Sequence, residues 1–503
     1  MLESYVKKIL ASRVYDLATE TPLTPAPLLS RRLGVQVSLK REDLQPIFSF
    51  KIRGSYNKMA QLSAAEQRRG VIAASAGNHA QGVAMAAARL GIKATIVMGR
   101  NTPVIKVDAV RARGAKVVLH GDGFTQAAQH AARLQAEQNL IYVHPYDDVE
   151  VIAGQGTVGM EIINQHAGSP EAIFVPVGGG GLIAGIAAYV KYLHPKTRII
   201  GVEAQGSACM QAAMQAGRRV TLPEGSLDRF ADGVAVAQAG QQTFKIAKRY
   251  VDEVIVASVD EICAAIKDVF EETRVVAEPA GALSVAGMKQ YLKHSDLSSA
   301  VAVISGANVN FDRLRHISER AEIGEQREAI FAVAIDEAQG SFLKFCRALG
   351  KRAITEFNYR WARENEAHIY VGVQVNSPAD RSEVVTQLSN RGYPVVDMTD
   401  NETAKLHVRH MVGGRNLGVS DELLFRFEFP ERPGALLEFL NGVGADWNIT
   451  LFHYRNHGAA YGRVLVGFQA GPRDRKRLVS YLKRIEYRFW EENDNPAYQL
   501  FLK

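Results

Sequence analysis

The chain has 503 residues, 47% of them hydrophobic and 22% charged, with a formal net charge of +7. That length exceeds one core and implies two to four domains of an ordinary soluble globular protein, which excludes a disordered or membrane-embedded chain. The positive charges are interleaved with acids, as in 313–327, so they form a solvated surface and no nucleic-acid-binding stripe.

No apolar run is long enough to span a bilayer, and the opening residues 1–8 lack a signal-peptide core. Cys209, Cys263 and Cys346 are too widely spaced for a disulfide framework or a zinc site, and no acidic cluster names a metal site. A reducing cytoplasm is the expected compartment.

After an amphipathic opening, Gln36–Glu42 alternates like a strand and leads into Pro46-Ile47-Phe48-Ser49-Phe50-Lys51-Ile52-Arg53-Gly54-Ser55-Tyr56-Asn57. Lys51 stands between two apolar residues. Either its stem snorkels at the edge of an element, or its amine is desolvated, its pKa is lowered and it forms a Schiff base with a carbonyl.

Beyond it, short β-branched runs alternate with alanine-rich helical stretches: 71–74, 94–98, 116–119, 172–177, 198–202 and 300–304 read as strands. This alternation predicts parallel sheets with helices on both faces. Ligands in such sheets bind beyond the carboxyl ends of the strands, so the residues after each strand carry the functional information.

Three such segments stand out. Ser75-Ala76-Gly77-Asn78-His79-Ala80-Gln81-Gly82 opens a helix whose unpaired N–H groups suit a carboxylate; an ordinary N-cap is the alternative, with His79 a packed histidine. Gly178-Gly179-Gly180-Gly181-Leu182 lets successive amides converge on one anion ahead of a helix, and its spacing is neither the dinucleotide nor the P-loop pattern. Ser305-Gly306-Ala307-Asn308 follows the last strand and is either a second wall of the same crevice or a helix cap.

Taken together and in this order, these four segments resemble the serine/threonine dehydratase family, the tryptophan-synthase-β-like branch of pyridoxal phosphate enzymes. The resemblance implies that Lys51 carries the internal aldimine and acts as base at Cα, with Phe50 packed near the pyridine ring. It implies that Asn78 bonds the phenolic oxygen of pyridoxal 5'-phosphate, and that Ser75, Ala76, Gly77, Asn78 and His79 grip the substrate carboxylate. Gly178, Gly179, Gly180, Gly181 and Leu182 would bind the phosphate, and Ser305 would face the pyridine nitrogen. A neutral hydroxyl there makes the ring a weaker electron sink than a carboxylate would, which favours β-elimination over transamination.

From about residue 328 the chain repeats itself. Residues 354–360 (ITEFNYR) recur at 449–455 (ITLFHYR), Val371-Gly372-Val373-Gln374 at Val466-Gly467-Phe468-Gln469, Gly340–Phe345 at Gly434–Phe439, and Asp400-Asn401 at Asp494-Asn495. Each copy reads strand, helix, strand, strand, helix, short strand, a ferredoxin-like split βαβ. Such paired modules resemble ACT-type domains, which bind small amino acids where two copies meet; an oligomerising appendage is the alternative.

The expected fold is therefore α/β: two parallel-sheet subdomains over 1–320, a charged neck at 321–328, and two tandem ACT-like α+β modules at 329–411 and 423–503. A catalytic half joined to a duplicated sensor half resembles the regulated, biosynthetic branch of the dehydratase family. This implies conversion of L-threonine to 2-oxobutyrate and ammonia as the first step of isoleucine biosynthesis, inhibition by isoleucine relieved by valine, and a homotetramer. Leu436, Leu440 and Val443 form an apolar stripe that is either an effector pocket or core. A serine dehydratase or racemase shares the same motifs, since one methyl is worth only about 1–3 kcal/mol. A catalytically silent sensor would have no chemical need for Lys51.

Overall fold

The computed structural model describes the chain except Asn101, 122–123, 224–225, Arg229, Glu337, 361–365, 412–419, 431–434, 444–446, 456–460, Pro472, 485–486, Ala497, 499–501 and Lys503. Of the repeat noted above, Gly434 lies outside the described residues. The chain divides into two compact units, 1–321 and 322–503, and a helix Arg313–Gly324 runs through the division, so half of the expected neck is helical. Among the described residues no helix is long and apolar enough to cross a membrane.

The first unit holds β1 (Leu23–Pro25), β2 (Gln36–Arg41), β3 (Val71–Ala74), β4 (Ala94–Met98), β5 (Lys116–Leu119), β6 (Ile141–Tyr142), β7 (Ala172–Pro176), β8 (Arg198–Ala204), β9 (Glu253–Ala257) and β10 (Ser299–Ile304). They form a six-stranded sheet in the order β1-β2-β10-β7-β8-β9 and a four-stranded sheet in the order β5-β4-β3-β6. Every pair is parallel except β1 with β2. Strands β3, β7 and β10 are buried along their whole length, as parallel strands covered on both faces must be.

Alternation along these strands assigns two cores. Phe174, Ile200, Val202, Ala302 and Ile304 face one layer of helices, while Ile173, Val175, Ile199, Val301 and Val303 face the other. The register places Ile304 beside Arg41 and Ala302 beside Phe174, so the ends of β2, β10 and β7 lie side by side. The segments after those ends contain Lys51, Ser305 and the four glycines.

Helix packing fixes the Lys51 helix. A Cβ on Gly154 would lie 2.7 Å from the Arg53 carbonyl, and one on Gly54 2.3 Å from Gln155 Nε2. The helices Lys51–Ala60 and Val149–Gln165 approach this closely only because both positions are glycine.

The second unit is one eight-stranded antiparallel sheet of β11 (Glu328–Asp336), β12 (Ile354–Arg360), β13 (Glu366–Gln374), β14 (Val395–Asp397), β15 (Glu422–Pro430), β16 (Asn448–Arg455), β17 (Tyr461–Gln469) and β18 (Arg488–Glu491). The expected duplicated order is found: a helix follows β11 and another follows β13, and the same holds after β15 and β17. The modules join edge to edge through β12 and β16, with Phe357 opposite Tyr454. Each carries a bulge at the same repeat position, between Ile354 and Glu356 and between Ile449 and Leu451. The extra residue, Thr355 or Thr450, turns its hydroxyl to a carboxylate at the start of the next strand but one in the sheet, Glu328 of β11 or Glu422 of β15.

Candidate active site

Lys51 is the first residue of its helix, and its amine donates to the Pro145 carbonyl at 2.9 Å. The side chain keeps partial exposure, yet protein encloses the amine closely enough that burial lowers its pKa to about 8, with Glu278 working in the opposite direction. Its ammonium also lies 5.2 Å from the centre of the half-buried Phe50 ring. The preceding loop is tied to the end of β10: Ser49 bridges Gly306, and the Phe50 amide donates to the Ser305 carbonyl at 3.2 Å. Ser305 is 3% exposed, with its hydroxyl donating to the Ala280 carbonyl at 3.3 Å. Lys51 and Ser305, 254 positions apart in the chain, are therefore brought side by side.

The glycine segment opens the helix Gly181–Leu193, and Gly180 takes φ +93°, a conformation that only glycine adopts freely. Its carbonyls are occupied: Gly178 O accepts from the Cys209 thiol, and Gly179 O from the Gly240 amide and the Thr243 hydroxyl. Among the described residues, the amides of Gly178, Gly179 and Gly180 have no acceptor within the chain. A Cβ on Gly179 would strike the Tyr146 ring at 2.3 Å, and one on Gly178 would press on the Val234 backbone at 3.0 Å. Unpaired amides, a helix N-terminus and a wall that admits no side chain are the features an anion cradle requires.

Asn78 begins the helix Asn78–Leu90 after β3. Its amide is held from both sides, by Asn308 Nδ2 donating to its Oδ1 at 2.7 Å and by its own Nδ2 donating to Glu278 Oε1 at 2.6 Å. Ser75, Ala76, Gly77 and Asn78 are half-exposed, whereas His79 is 3% exposed and turned inward. Its Nε2 meets the Val143 carbonyl at 2.8 Å and its Nδ1 the Ser55 hydroxyl at 3.4 Å. Burial and the nearby Lys51 lower its pKa to about 3, so it is a neutral packed imidazole. Any part that His79 plays toward a carboxylate falls to its backbone amide.

The family of pyridoxal-phosphate dependent enzymes matches residues 14–306, and the C-terminal regulatory domain of threonine dehydratase matches twice, at 319–408 and 413–502. The biosynthetic L-threonine dehydratase of Burkholderia multivorans is 54% identical over 503 residues, 99% of each chain. That of Escherichia coli is 51% identical over 501 residues, 99% of this chain and 97% of its own. The chain belongs to the biosynthetic threonine dehydratase family.

Members of this dehydratase family are pyridoxal-phosphate dependent lyases, and the residues described fit that cofactor: an amine, an anion cradle, an oriented amide and a buried hydroxyl around one crevice. Among solved structures, the processed form of threonine deaminase isoform 2 from Solanum lycopersicum is 49% identical, with a TM-score of 0.62 over 64% of this chain and 93% of its own. Serine racemase from Dictyostelium discoideum is 29% identical, with a TM-score of 0.57 over 61% of this chain and 99% of its own.

Two residues of this dehydratase site escape sequence reasoning. Glu278 looks like an ordinary residue ahead of a proline-initiated helix, Pro279–Leu292. Tyr146, whose ring covers Gly179, lies in a segment with no motif. The stripe in the regulatory half is resolved differently from an open pocket. Leu440 and Val443 are each 1% exposed within the core shared by both modules, and Leu436 is half-buried against it.

Proposed function

We propose that the chain eliminates the β-hydroxyl of L-threonine at the Lys51 site, giving 2-oxobutyrate and ammonia, under control of its duplicated regulatory half. Full-length identity of 54% to a biosynthetic threonine dehydratase carries the reading, and the enclosed amine of Lys51 supports it chemically. Pyridoxal phosphate, when bound, supplies the electron sink that makes the Cα proton acidic.

The rest is the work of side chains and amides. The amine of Lys51, with a pKa near 8, is partly unprotonated around neutral pH and removes the Cα proton. The amides of Gly178–Leu182 would hold the phosphate, the Ser75–His79 segment would hold the substrate carboxylate, and Asn78 would bond the phenolic oxygen. Ser305 would face the ring nitrogen with a neutral hydroxyl, and Phe50 would pack near the ring, which would favour loss of the β-substituent over transamination. Water lost as hydroxyl plus proton is regained when the enamine is hydrolysed, and threonine is accounted for as 2-oxobutyrate and ammonia.

In the regulatory half, isoleucine as inhibitor and valine as its antagonist would act at the paired modules. Leu440 and Val443 are closed within the core, so an effector that reaches them has to displace helix-to-sheet packing around Leu436. Differential affinity for two such arrangements is what allosteric inhibition requires. A cytoplasmic homotetramer completes the reading, with a solution mass four times the 55.1 kDa chain.

The test is 2-oxobutyrate formation from L-threonine, alone and with isoleucine or isoleucine plus valine. Turnover suppressed by isoleucine and restored by valine is the expected result. Pyruvate from serine with no turnover of threonine would overturn the substrate, and turnover indifferent to both amino acids would overturn the effectors.

A further inference from the structure

Among the described residues, Glu278 is the buried acid at the site. It is 6% exposed, and among the described residues it has no ion-pair partner. It sits under the Ser305 loop: its amide donates to the Gly306 carbonyl at 3.1 Å, and a Cβ on Gly306 would lie 2.6 Å from its Oε1. Space for this carboxyl is therefore built into the residue that follows Ser305.

What the carboxyl touches is Asn78. Asn308 spends one N–H on the Ile47 carbonyl at 2.7 Å and the other on Asn78 Oδ1 at 2.7 Å. Asn78 in turn donates one N–H to Glu278. Rotating the Asn78 amide by half a turn would set its NH2 against the Asn308 NH2 and its oxygen against the carboxyl oxygen. The relay thus locks Asn78 in one orientation and leaves its second N–H for a ligand.

We propose that Glu278 is a positioning residue of the reaction, which orients Asn78 toward the cofactor and, by its charge, sets the protonation of the nitrogen that Lys51 contributes to the cofactor. The groups facing it are few. Asp232, from the loop beside Gly233, disfavours its ionised form; Lys106 of the helix Val104–Arg111 and the backbone amide of Asn308 favour it; Asn78 donates to it; and Arg313 lies 3.5 Å from Asp232. Lys51 completes the set, since Glu278 is the charge that opposes the burial of its amine. Burial together with Asp232 raises the Glu278 pKa to about 7. The field at Lys51 therefore changes across the neutral range, and pH enters the reaction through a residue that need not touch substrate.

The inference rests on Lys51 as the cofactor lysine; the visible band of wild-type holoenzyme attests that separately. The experiment titrates that band with pH, without substrate, in wild type and Glu278→Gln. Glutamine keeps an acceptor for Asn78 and removes the charge, so the midpoint is expected to fall by half a pH unit or more, about 0.5–1 unit for one charge at this range. The corresponding limb of the kcat profile moves with it. A midpoint that shifts by less than half a unit, or rises, overturns the proposal and leaves Glu278 a packing residue. Should Glu278→Gln fail to fold, Asp232→Asn at the 39%-exposed rim keeps the carboxyl and eases its ionisation. The midpoint should then rise, and an unmoved one overturns the proposal equally.

Discussion

Lys40 and Lys51 are eleven positions apart and both enclosed by protein, yet their surroundings differ in kind. Lys40, on β2, is 0% exposed and sits 2.6 Å from Glu161 Oε2, with the Thr21 carbonyl and Gln165 Oε1 as further acceptors. Glu161 belongs to a larger buried node. Arg53 grips it and Glu42 with both sides of its guanidinium, Nε to Glu42 Oε2 at 2.7 Å and Nη2 to Glu161 Oε2 at 2.8 Å. Burial works against the charge on Glu161, but Arg53 and Lys40 hold its carboxyl below the usual range.

Lys51 has one neutral carbonyl in contact, a carboxyl acting only through space, and an opening to the crevice. Burial alone therefore does not make an amine reactive. A contact anion turns a buried lysine into a structural strut, and its lack leaves the lysine free for chemistry. Arg53, two residues beyond Lys51, ties the two regions together by anchoring the helix that presents the amine.

Breaking this contrast on the chemical side should have the largest effect. Lys51→Ala should lower kcat by at least about 10³-fold, the scale of a lost general base and covalent anchor, with melting temperature nearly unchanged. On the structural side, Arg53→Met leaves Glu42 and Glu161 facing each other without their shared cation. It should cost about 3–5 kcal/mol in urea unfolding. Lys40→Met, which leaves Glu161 to Arg53, should cost about 1–3 kcal/mol and retain turnover per folded molecule.

Gly179→Ala tests the cradle. The new methyl meets the Tyr146 ring, and the overpacking of about 1–3 kcal/mol should weaken cofactor binding about tenfold, read as the equilibrium dissociation constant from the visible band.

The smallest effect is in the pH dependence of the apoprotein. Lys51 has a folded pKa of about 8, below its unfolded value of about 10.4. The unfolded chain then binds more protons between those values, and stability rises with pH across that window. Lys51→Met should flatten the rise in urea midpoint there. For the raised carboxyls Glu278 and Glu328, each at about 7, the folded state holds the extra proton. Their contribution is present below pH ~4.3 and declines as pH climbs toward 7.

The strands 71–74 and 94–98 were legible because they are buried almost throughout and so written as short apolar runs, and 116–119, though partly exposed, because Val117, Val118 and Leu119 are apolar; all three match the structure residue for residue. The duplication was legible because it is literal repetition. Strand β9 was not, since it is half-exposed at the edge and reads as surface, and β6 has only two residues. The candidate site was legible where backbone geometry demands glycine or a strand end demands a polar loop. Glu278 was not legible, because its meaning comes from Asn78, 200 positions away, and only the folded chain brings the two within a hydrogen bond.

Lys51, and not the more deeply buried Lys40, is expected to hold the cofactor. Reducing the holoenzyme with borohydride and mapping the modified peptide tests it directly. The pyridoxyl group is expected on Lys51 alone, with Lys40 unmodified. A label on Lys40 or on any other lysine, with Lys51 bare, would contradict it.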